Sequence, residues 1–336
     1  MLYQLTTIPV FALAWEALPG WGLTLFMAIG LGFLCLGGDF LVRGAASIAL
    51  RLKMSPVVVG LTIVSIGTSS PEFITSLMGA LKGKPELAIG NIVGSNLCNM
   101  GLILGIAALI KPIRVQLRLI RQEVPWLVVA TFVFMLFCWS GELGRWEGFC
   151  MLGGTVVYFI YIYLQTRQVD KQVSDEYVDE FKDPIESTLL CLLLMGGGIT
   201  LLAFGADWLV NGAVQVARKA GLSELVIGVT IVALGTSLPE LVTSVTAALR
   251  GQSDICAGNI VGSNLFNILL IGGGVASIQP LQVSPGLLHM EFPAMILLTL
   301  LLWLFFLTGR KVTRWEGALL LVVYGLTISA TLWVSL

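Results

Sequence analysis

Charge is what this chain has least of. Its 336 residues include 19 Lys and Arg, 20 Asp and Glu and one His, so charged side chains make up 12% of the sequence. A soluble domain typically carries about 25%. With 57% hydrophobic residues and a mean hydropathy of +0.92, the chain reads as a polytopic membrane protein, and a water-soluble fold is excluded. The net charge is −1 and no basic tract occurs, which excludes the electrostatic footprint of a nucleic-acid binder. The one histidine, His289, belongs to no polar motif and lies beside a predicted membrane boundary, so it reads as interfacial. No nucleophile–base pairing is suggested, and no catalytic residue is assigned. The six cysteines (Cys35, Cys98, Cys138, Cys150, Cys191, Cys256) lie in or beside apolar segments without metal-ligand spacing. They read as inert core residues. The first 18 residues are apolar but have neither a positive n-region nor a small-residue cleavage site, so no cleaved signal peptide is expected.

What the chain has in abundance is long apolar runs. A membrane-spanning helix needs about 20 apolar residues. Ten stretches qualify: 21–42, 56–80, 87–110, 124–140, 147–165, 188–216, 225–249, 254–277, 290–308 and 316–334. The sixth reads as long and tilted. Residues 56–99 and 224–267 are one segment written twice, with 24 of 44 positions identical at a constant offset of 168, half the chain length. The expected fold is therefore all-α, with ten transmembrane helices in two five-helix repeats, 1–165 and 188–336, joined by a linker over 166–187. Five spans per copy is an odd number, so equivalent residues enter the membrane from opposite sides, an inverted repeat.

Orientation follows from Lys and Arg. With the N-terminus outside, the inner loops hold Arg43, Arg51, Lys53, Lys111, Arg114, Arg118, Arg121, Arg167, Lys171, Lys182, Arg250, Arg310, Lys311 and Arg314, which is 14 residues. The outer loops hold 5: Lys82, Lys84, Arg145, Arg218 and Lys219. The positive-inside rule puts both termini outside and the linker in the cytoplasm. The linker is the one strongly polar stretch, and it reads as a solvated connection.

Each repeat puts a Glu directly after a Pro: Gly67-Thr68-Ser69-Ser70-Pro71-Glu72 and Gly235-Thr236-Ser237-Leu238-Pro239-Glu240. A proline inside a helix has no N–H for the carbonyl four residues back, here Gly67 and Gly235. A carbonyl freed in hydrocarbon must find another partner, and a cation is one. Thr68, Ser69, Thr236 and Ser237 add hydroxyls, and Glu72 and Glu240 add carboxylates. These are hard oxygen donors, which suit Na⁺ or Ca²⁺ rather than transition metals. In the next span Asn91, Ser95 and Asn99 recur every four residues, forming one polar stripe, and Asn259, Ser263 and Asn267 repeat it. Gly90 with Gly94, and Gly258 with Gly262, supply a small face for close helix approach. Asp39 and Asp207 also match at the same offset. Arg43 follows Asp39 by one turn, but Asn211 stands in its place in the second copy, so both acids read as structural or gating.

The paired GTS-x-PE and GN-I-V-GSN-x-x-N motifs resemble the alpha repeats of the calcium/cation antiporter superfamily. The closest likeness is to bacterial Na⁺/Ca²⁺ exchangers, including the potassium-dependent type. The strong match covers about 90 residues, and the ten-span plan extends it over the chain. The resemblance implies Ca²⁺-for-Na⁺ antiport by alternating access, with the second, third, seventh and eighth spans enclosing the ions. It implies that Glu72 and Glu240 are the central ligands, joined by Ser69, Ser237, Ser95, Asn99, Ser263 and Asn267. Many relatives carry an Asp at one of the last two asparagine positions, whereas here the core has two carboxylates. No cofactor is implied. The transported ions are Ca²⁺ and Na⁺, with K⁺ open, the setting is the lipid bilayer of a bacterial inner membrane, and a monomer suffices. Two alternatives stay open. Desolvated carboxylates also bind protons, so the scaffold could exchange H⁺ for Ca²⁺, and a midplane site does not by itself exclude a cation channel.

Overall fold

The computed structural model describes residues 15–51, 54–166, 185, 187–221 and 233–335. Among them are seven helices long and apolar enough to cross a membrane, and one bent pair that would make an eighth. In chain order these are α1 (Gly20–Arg51), the bent pair α2 (Pro56–Thr68) and α3 (Ser70–Leu81), α4 (Pro85–Ile110), α5 (Leu119–Cys138) and α6 (Arg145–Thr166). The second half continues with α7 (Thr188–Lys219), a short turn at Ala233–Gly235, α8 (Leu238–Leu249), α9 (Ser253–Ile278), α10 (Leu287–Leu307) and the 22-residue α11 (Arg314–Ser335). The linker, except Thr166, Ile185 and Ser187, and all of 225–232 in the seventh predicted span lie outside the described residues.

The two halves match closely. The helices α1 and α7 are both 32 residues long and start 168 residues apart, and α3 with α8 and α4 with α9 keep that offset. Past α10 the offset becomes 169: Arg145-Trp146-Glu147-Gly148 opens α6 and Arg314-Trp315-Glu316-Gly317 opens α11. Two boundaries correct the sequence reading. The first predicted span stops at 42, but α1 continues to Arg51, because 44–50 is rich in Ala and buries Ala45, Ala46 and Ala49. Arg43 is thus a helix residue, not a loop residue. The fourth predicted span starts at 124, but α5 starts at Leu119, which brings Glu123 inside the bundle. There it accepts a hydrogen bond from Tyr158 Oη at 3.0 Å, with Arg118 at 3.9 Å. Two cysteines, Cys35 and Cys150, are exposed on the outside of the bundle rather than in its core.

The halves are interleaved rather than set side by side. The strands β1 (Ile113–Arg114) and β4 (Lys311–Val312) pair antiparallel, as do β2 (Glu142–Leu143) and β3 (Leu281–Gln282). Each pair joins one half to the other. Because β1 and β2 lie at opposite ends of α5, the two pairs mark opposite ends of the bundle. Helix packing follows the same rule. In α4, Gly101 and Gly105 face Tyr324, Leu321 and the Gly317 carbonyl of α11, while Gly273 of α9 faces the Gly148 carbonyl of α6.

The α1–α7 seam runs antiparallel and is built on glycine. Gly30, Gly37 and Gly44 recur every seven residues along one face, as do Gly198, Gly205 and Gly212. Gly30 lies against the Gly205 carbonyl and Gly37 against the Gly198 carbonyl. In lipid, helices gain little from burying apolar surface against one another, so close backbone packing through small residues holds such seams.

A Cβ at Gly198 would stand 2.7 Å from the Leu41 nitrogen, whereas one at Gly196 would meet nothing within 4 Å. Gly198→Ala should therefore lower stability by about 1–3 kcal/mol, and Gly196→Ala should be neutral or slightly stabilising. Thermal unfolding of the detergent-purified protein followed by tryptophan fluorescence checks this. Equal midpoints for the two variants would refute the seam.

Candidate functional site

Two broken helices meet at the centre of the bundle. The α2–α3 pair bends by 44°. The break falls at Ser69 (φ −84°, ψ 5°), and its counterpart Ser237 has nearly the same conformation (φ −90°, ψ 7°). Pro71 and Pro239 cause the breaks, since neither has the N–H that the Gly67 or Gly235 carbonyl would accept. Both prolines stand in the first two positions of their helices, where a missing N–H costs nothing. Glu72 and Glu240 then fall in the first turns of α3 and α8, where the positive helix ends favour anions. The two glycines at the breaks admit α7 closely: a Cβ on Gly67 would collide with Ile199, and one on Gly235 with Val210.

Both glutamates are 1% exposed. Each is bonded by the opposite half. Ser69 Oγ donates to Glu240 Oε1 at 2.8 Å, and Ser237 Oγ lies 3.2 Å from Glu72 Oε1 and 3.4 Å from Ser95 Oγ. The adjacent threonines cross in the same way: Thr68 Oγ1 donates to Asn259 Oδ1 at 3.2 Å, and Thr236 Oγ1 to Asn91 Oδ1 at 3.3 Å. Each asparagine is held in turn by its own half. Asn91 Nδ2 donates to Ser76 Oγ at 2.9 Å and Asn259 Nδ2 to Ser244 Oγ at 3.1 Å. The serine–glutamate, threonine–asparagine and asparagine–serine pairs all obey the 168-residue offset, whereas the Ser237–Ser95 contact has no counterpart at Ser263.

The network thus collects Glu72, Glu240, Ser69, Ser237, Thr68, Thr236 and Ser95 from the sequence-derived set. Ser263, Asn99 and Asn267 are also buried, but their side chains have no hydrogen-bond partner in the protein. Asn99 and Asn267 stand where α4 and α9 loosen into wide turns, Cys98–Ile103 and Asn267–Gly272. Such π-type turns inside helices are frequent at functional sites. The polar stripe read from sequence is regular up to these turns and leaves helical register there. Four network residues were not assigned to the site from sequence: Asn91, Asn259, Ser76 and Ser244. The signal was present, because Thr75-Ser76 recurs as Thr243-Ser244 one turn beyond the Pro-Glu pair.

The second oxygen of each glutamate, Oε2, has no protein partner. A buried carboxylate stabilised by one hydroxyl is expensive to keep ionised, and it needs an opposite charge or a proton. Two carboxylates flanked by serine hydroxyls and unpaired amides form an oxygen-only donor set suited to a hard cation. Among the described residues no group of three or more His, Cys, Asp or Glu side chains clusters as a transition-metal centre would.

Comparison with known proteins places the chain among cation exchangers. The family model described as sodium/calcium exchanger protein matches residues 22–167 and again 190–333. CaxA of Alkalimonas amylolytica, whose name marks it as a candidate antiporter, is 38% identical over 306 residues, spanning 90% of this chain and 96% of its own. The sodium/calcium exchanger MaX1 of Methanosarcina acetivorans is 32% identical, over 89% of this chain and 95% of its own. A structure of the sodium-calcium exchanger NCX_Mj soaked with 2.5 mM Na⁺ and 1 mM Sr²⁺ superposes with a TM-score of 0.80 at 30% identity. It covers 91% of this chain and 97% of that one.

A cation held at this site stabilises the folded state by linkage, by about 2.7 kcal/mol at a hundredfold excess over its dissociation constant. Ca²⁺ should therefore raise the thermal midpoint of the purified protein, and Glu72→Gln or Glu240→Gln should abolish the rise. A Ca²⁺-dependent shift that survives in both variants places cation binding elsewhere.

Proposed function

The chain belongs to the sodium/calcium exchanger protein family, and we propose that it is a secondary antiporter that exchanges Ca²⁺ for Na⁺ at a site built on Glu72 and Glu240. The observation that carries this reading is the crossed pairing of serine and glutamate, Ser69 to Glu240 and Ser237 to Glu72. It puts both acids in one buried oxygen cluster to which each half contributes equally. Thr68, Thr236, Ser95, Ser263, Asn99, Asn267 and the Gly67 and Gly235 carbonyls complete the proposed donor set.

The mechanism follows from charge. With both glutamates ionised, the empty site holds two negative charges in a low-dielectric interior. Reorienting that charge without a cation is costly. With Ca²⁺ bound, or with Na⁺ ions in its place, the cluster is close to neutral and the protein can change which side the site faces. Exchange is thereby obligatory. If more than two Na⁺ replace one Ca²⁺, each cycle moves net charge and responds to the membrane potential, at about 2.3 kcal/mol per charge per 100 mV. The hydroxyls beside each glutamate favour Na⁺ over H⁺ as the counter-ion, since a proton needs no cage of oxygens.

The architecture proposed for this activity is ten membrane spans in two inverted five-helix repeats, 1–165 and 188–336. Supporting it are the equal lengths of α1 and α7 and the strand pairs that join opposite ends of the two halves. The linker 166–187 then faces the cytoplasm and both termini lie outside. A relative from Escherichia coli, 32% identical over 83% of this chain, is named an inner membrane protein, which supports an inner-membrane location.

The test is ⁴⁵Ca²⁺ uptake into proteoliposomes under an imposed Na⁺ or H⁺ gradient. A Na⁺ gradient should drive uptake, and an H⁺ gradient alone should not. Glu72→Gln and Glu240→Gln should each reduce the rate by at least about a hundredfold while the protein still inserts and purifies. Uptake driven by protons alone would replace Na⁺ in the proposal, and wild-type exchange by either variant would disprove the site.

In intact cells, cysteines placed in 166–187 should resist membrane-impermeant reagents that label cysteines at the termini. Labelling of the linker from outside would overturn the topology.

A further inference from the structure

The two halves share the 168-residue relation in backbone and in the crossed serine–glutamate and threonine–asparagine pairs, but they differ at a pair of charges on the helices of the glycine seam. Asp39 on α1 forms an ion pair with Arg250, and Arg43 stands 3.8 Å from the same carboxyl. Arg250 caps the C-terminus of α8, the helix that begins beside Glu240, and Gly251 follows it in the left-handed conformation (φ 80°). The counterparts are Asp207 on α7 and Lys82, which caps α3 and is followed by Gly83 (φ 74°). The frame of the second pair is thus the same, yet Asp207 takes its hydrogen bond from Asn211 Nδ2 at 2.9 Å, and no Asp207–Lys82 ion pair is present among the described residues.

The two pairs sit at opposite ends of the bundle. A Cβ on Gly251 would lie 3.3 Å from Lys111 Nζ, just before β1, so the Asp39–Arg250 pair is at the β1–β4 end. Lys82 precedes α4, whose N-terminal portion packs on β3, so Asp207 and Lys82 are at the β2–β3 end. Exposure of the polar network is unequal in the same sense. Asn259, on the β1–β4 side, is fully buried and Thr68 is 1% exposed, while their counterparts Asn91 and Thr236 on the β2–β3 side are half-buried. The polar network is thus more deeply buried on the side that carries the ion pair than on the side without it.

The geometry points to Asp39 with Arg250, and Asp207 with Lys82, as two ionic latches that close alternately, each tying a helix of the glycine seam to the far end of a glutamate-bearing helix. In an inverted repeat that alternates between two states, the conformations of the two halves exchange. In the opposite state Asp207 leaves Asn211 and engages Lys82, while Asp39 releases Arg250. The latches are positioning groups: none of the four touches the proposed cation cluster. The pairs are partly exposed, and that suits their task, because a partly hydrated ion pair is weak enough to break in every cycle. The inference rests on the antiport reading for what the cycle carries, but not for which residues meet.

The experiment uses the full chain in proteoliposomes, with paired cysteines and a short bis-thiosulfonate cross-linker that reductant cleaves. Single-cysteine variants control for the native thiols. Asp39→Cys with Arg250→Cys should cross-link as this structure requires. Asp207→Cys with Lys82→Cys should also cross-link, although these residues are unpaired here. Either link should reduce exchange to background until reductant restores it, and a protein carrying all four cysteines should form one link or the other in a given molecule. Failure of the Asp207–Lys82 pair to link, or both links forming together, overturns the proposal. A charge exchange gives a second readout. Arg250→Asp alone should slow exchange about two- to fivefold, and adding Asp39→Arg should restore it, whereas no rescue counts against the latch. If the wild type moves no Ca²⁺ against Na⁺, the antiport reading fails, and cross-link yields still decide the latch.

Discussion

Two carboxylates inside an apolar bundle, each hydrogen-bonded by a serine from the other half of the chain, set the terms for the structure around them. An acid at such a depth needs local positive potential, and the first turn of a helix supplies it. A helix can begin in mid-bundle only where another one breaks. The prolines at 71 and 239 make those breaks, and Ser69 and Ser237 are the non-helical residues at them. The hydroxyls at the breaks are then free to turn toward the opposite glutamate. The carboxylates, the broken helices and the serine donors are one solution to one electrostatic problem, and the chain contains it twice.

That solution requires backbones to come very close, and side-chain volume is what must be removed. Gly258 and Gly262 of α9 lie against the main chain of α2, so that Asn259 reaches Thr68. Gly67 and Gly235 leave room for Ile199 and Val210 of α7. Further out, glycines every seven residues hold α1 to α7. Outside these contacts the bundle presents large apolar side chains such as Leu136, Leu193 and Val322 to the lipid. The distribution follows from the solvent: lipid rewards apolar surface on the outside, so tight packing through small residues is left to hold the inside together.

Much of this is legible in the sequence because the chain states it twice. The repeat, the Pro-Glu pairs and the polar stripe are local patterns, and the described helices fall within or around the apolar runs that hydropathy marks. The glutamates, the threonines and three of the four serines read from the motifs are brought together in one network, while Ser263 is buried without a partner. What sequence did not show was partnership. No local pattern says that Ser69 serves Glu240 and not Glu72, since that follows from how the halves cross. Helix ends were less legible where apolar runs and helices differ in extent. Arg43 and Glu123 interrupt hydropathy without interrupting a helix, because the first is followed by the buried Ala45, Ala46 and Ala49 and the second finds Tyr158 inside the bundle. The loosened turns at Asn99 and Asn267 had no sequence signal, since an added residue in a helix turn leaves the composition unchanged.

The interleaving of the halves also bears on how the chain is made. Synthesis runs from the N-terminus at about 5–20 residues per second, so the second half follows the first by roughly ten to thirty seconds. In that interval β1 and β2 have no strands to pair with, Gly101 and Gly105 face no Tyr324 or Leu321, and Glu72 lacks the hydroxyl of Ser237. The first five-helix unit therefore waits in the bilayer with its acid and its strand edges unpaired. Commitment to the native bundle comes late, when α9 and α11 supply the close backbone contacts of α2, α6 and α4. A nascent chain halted before that point is the form most exposed to quality-control proteases, and its lifetime is set by how soon the second half arrives.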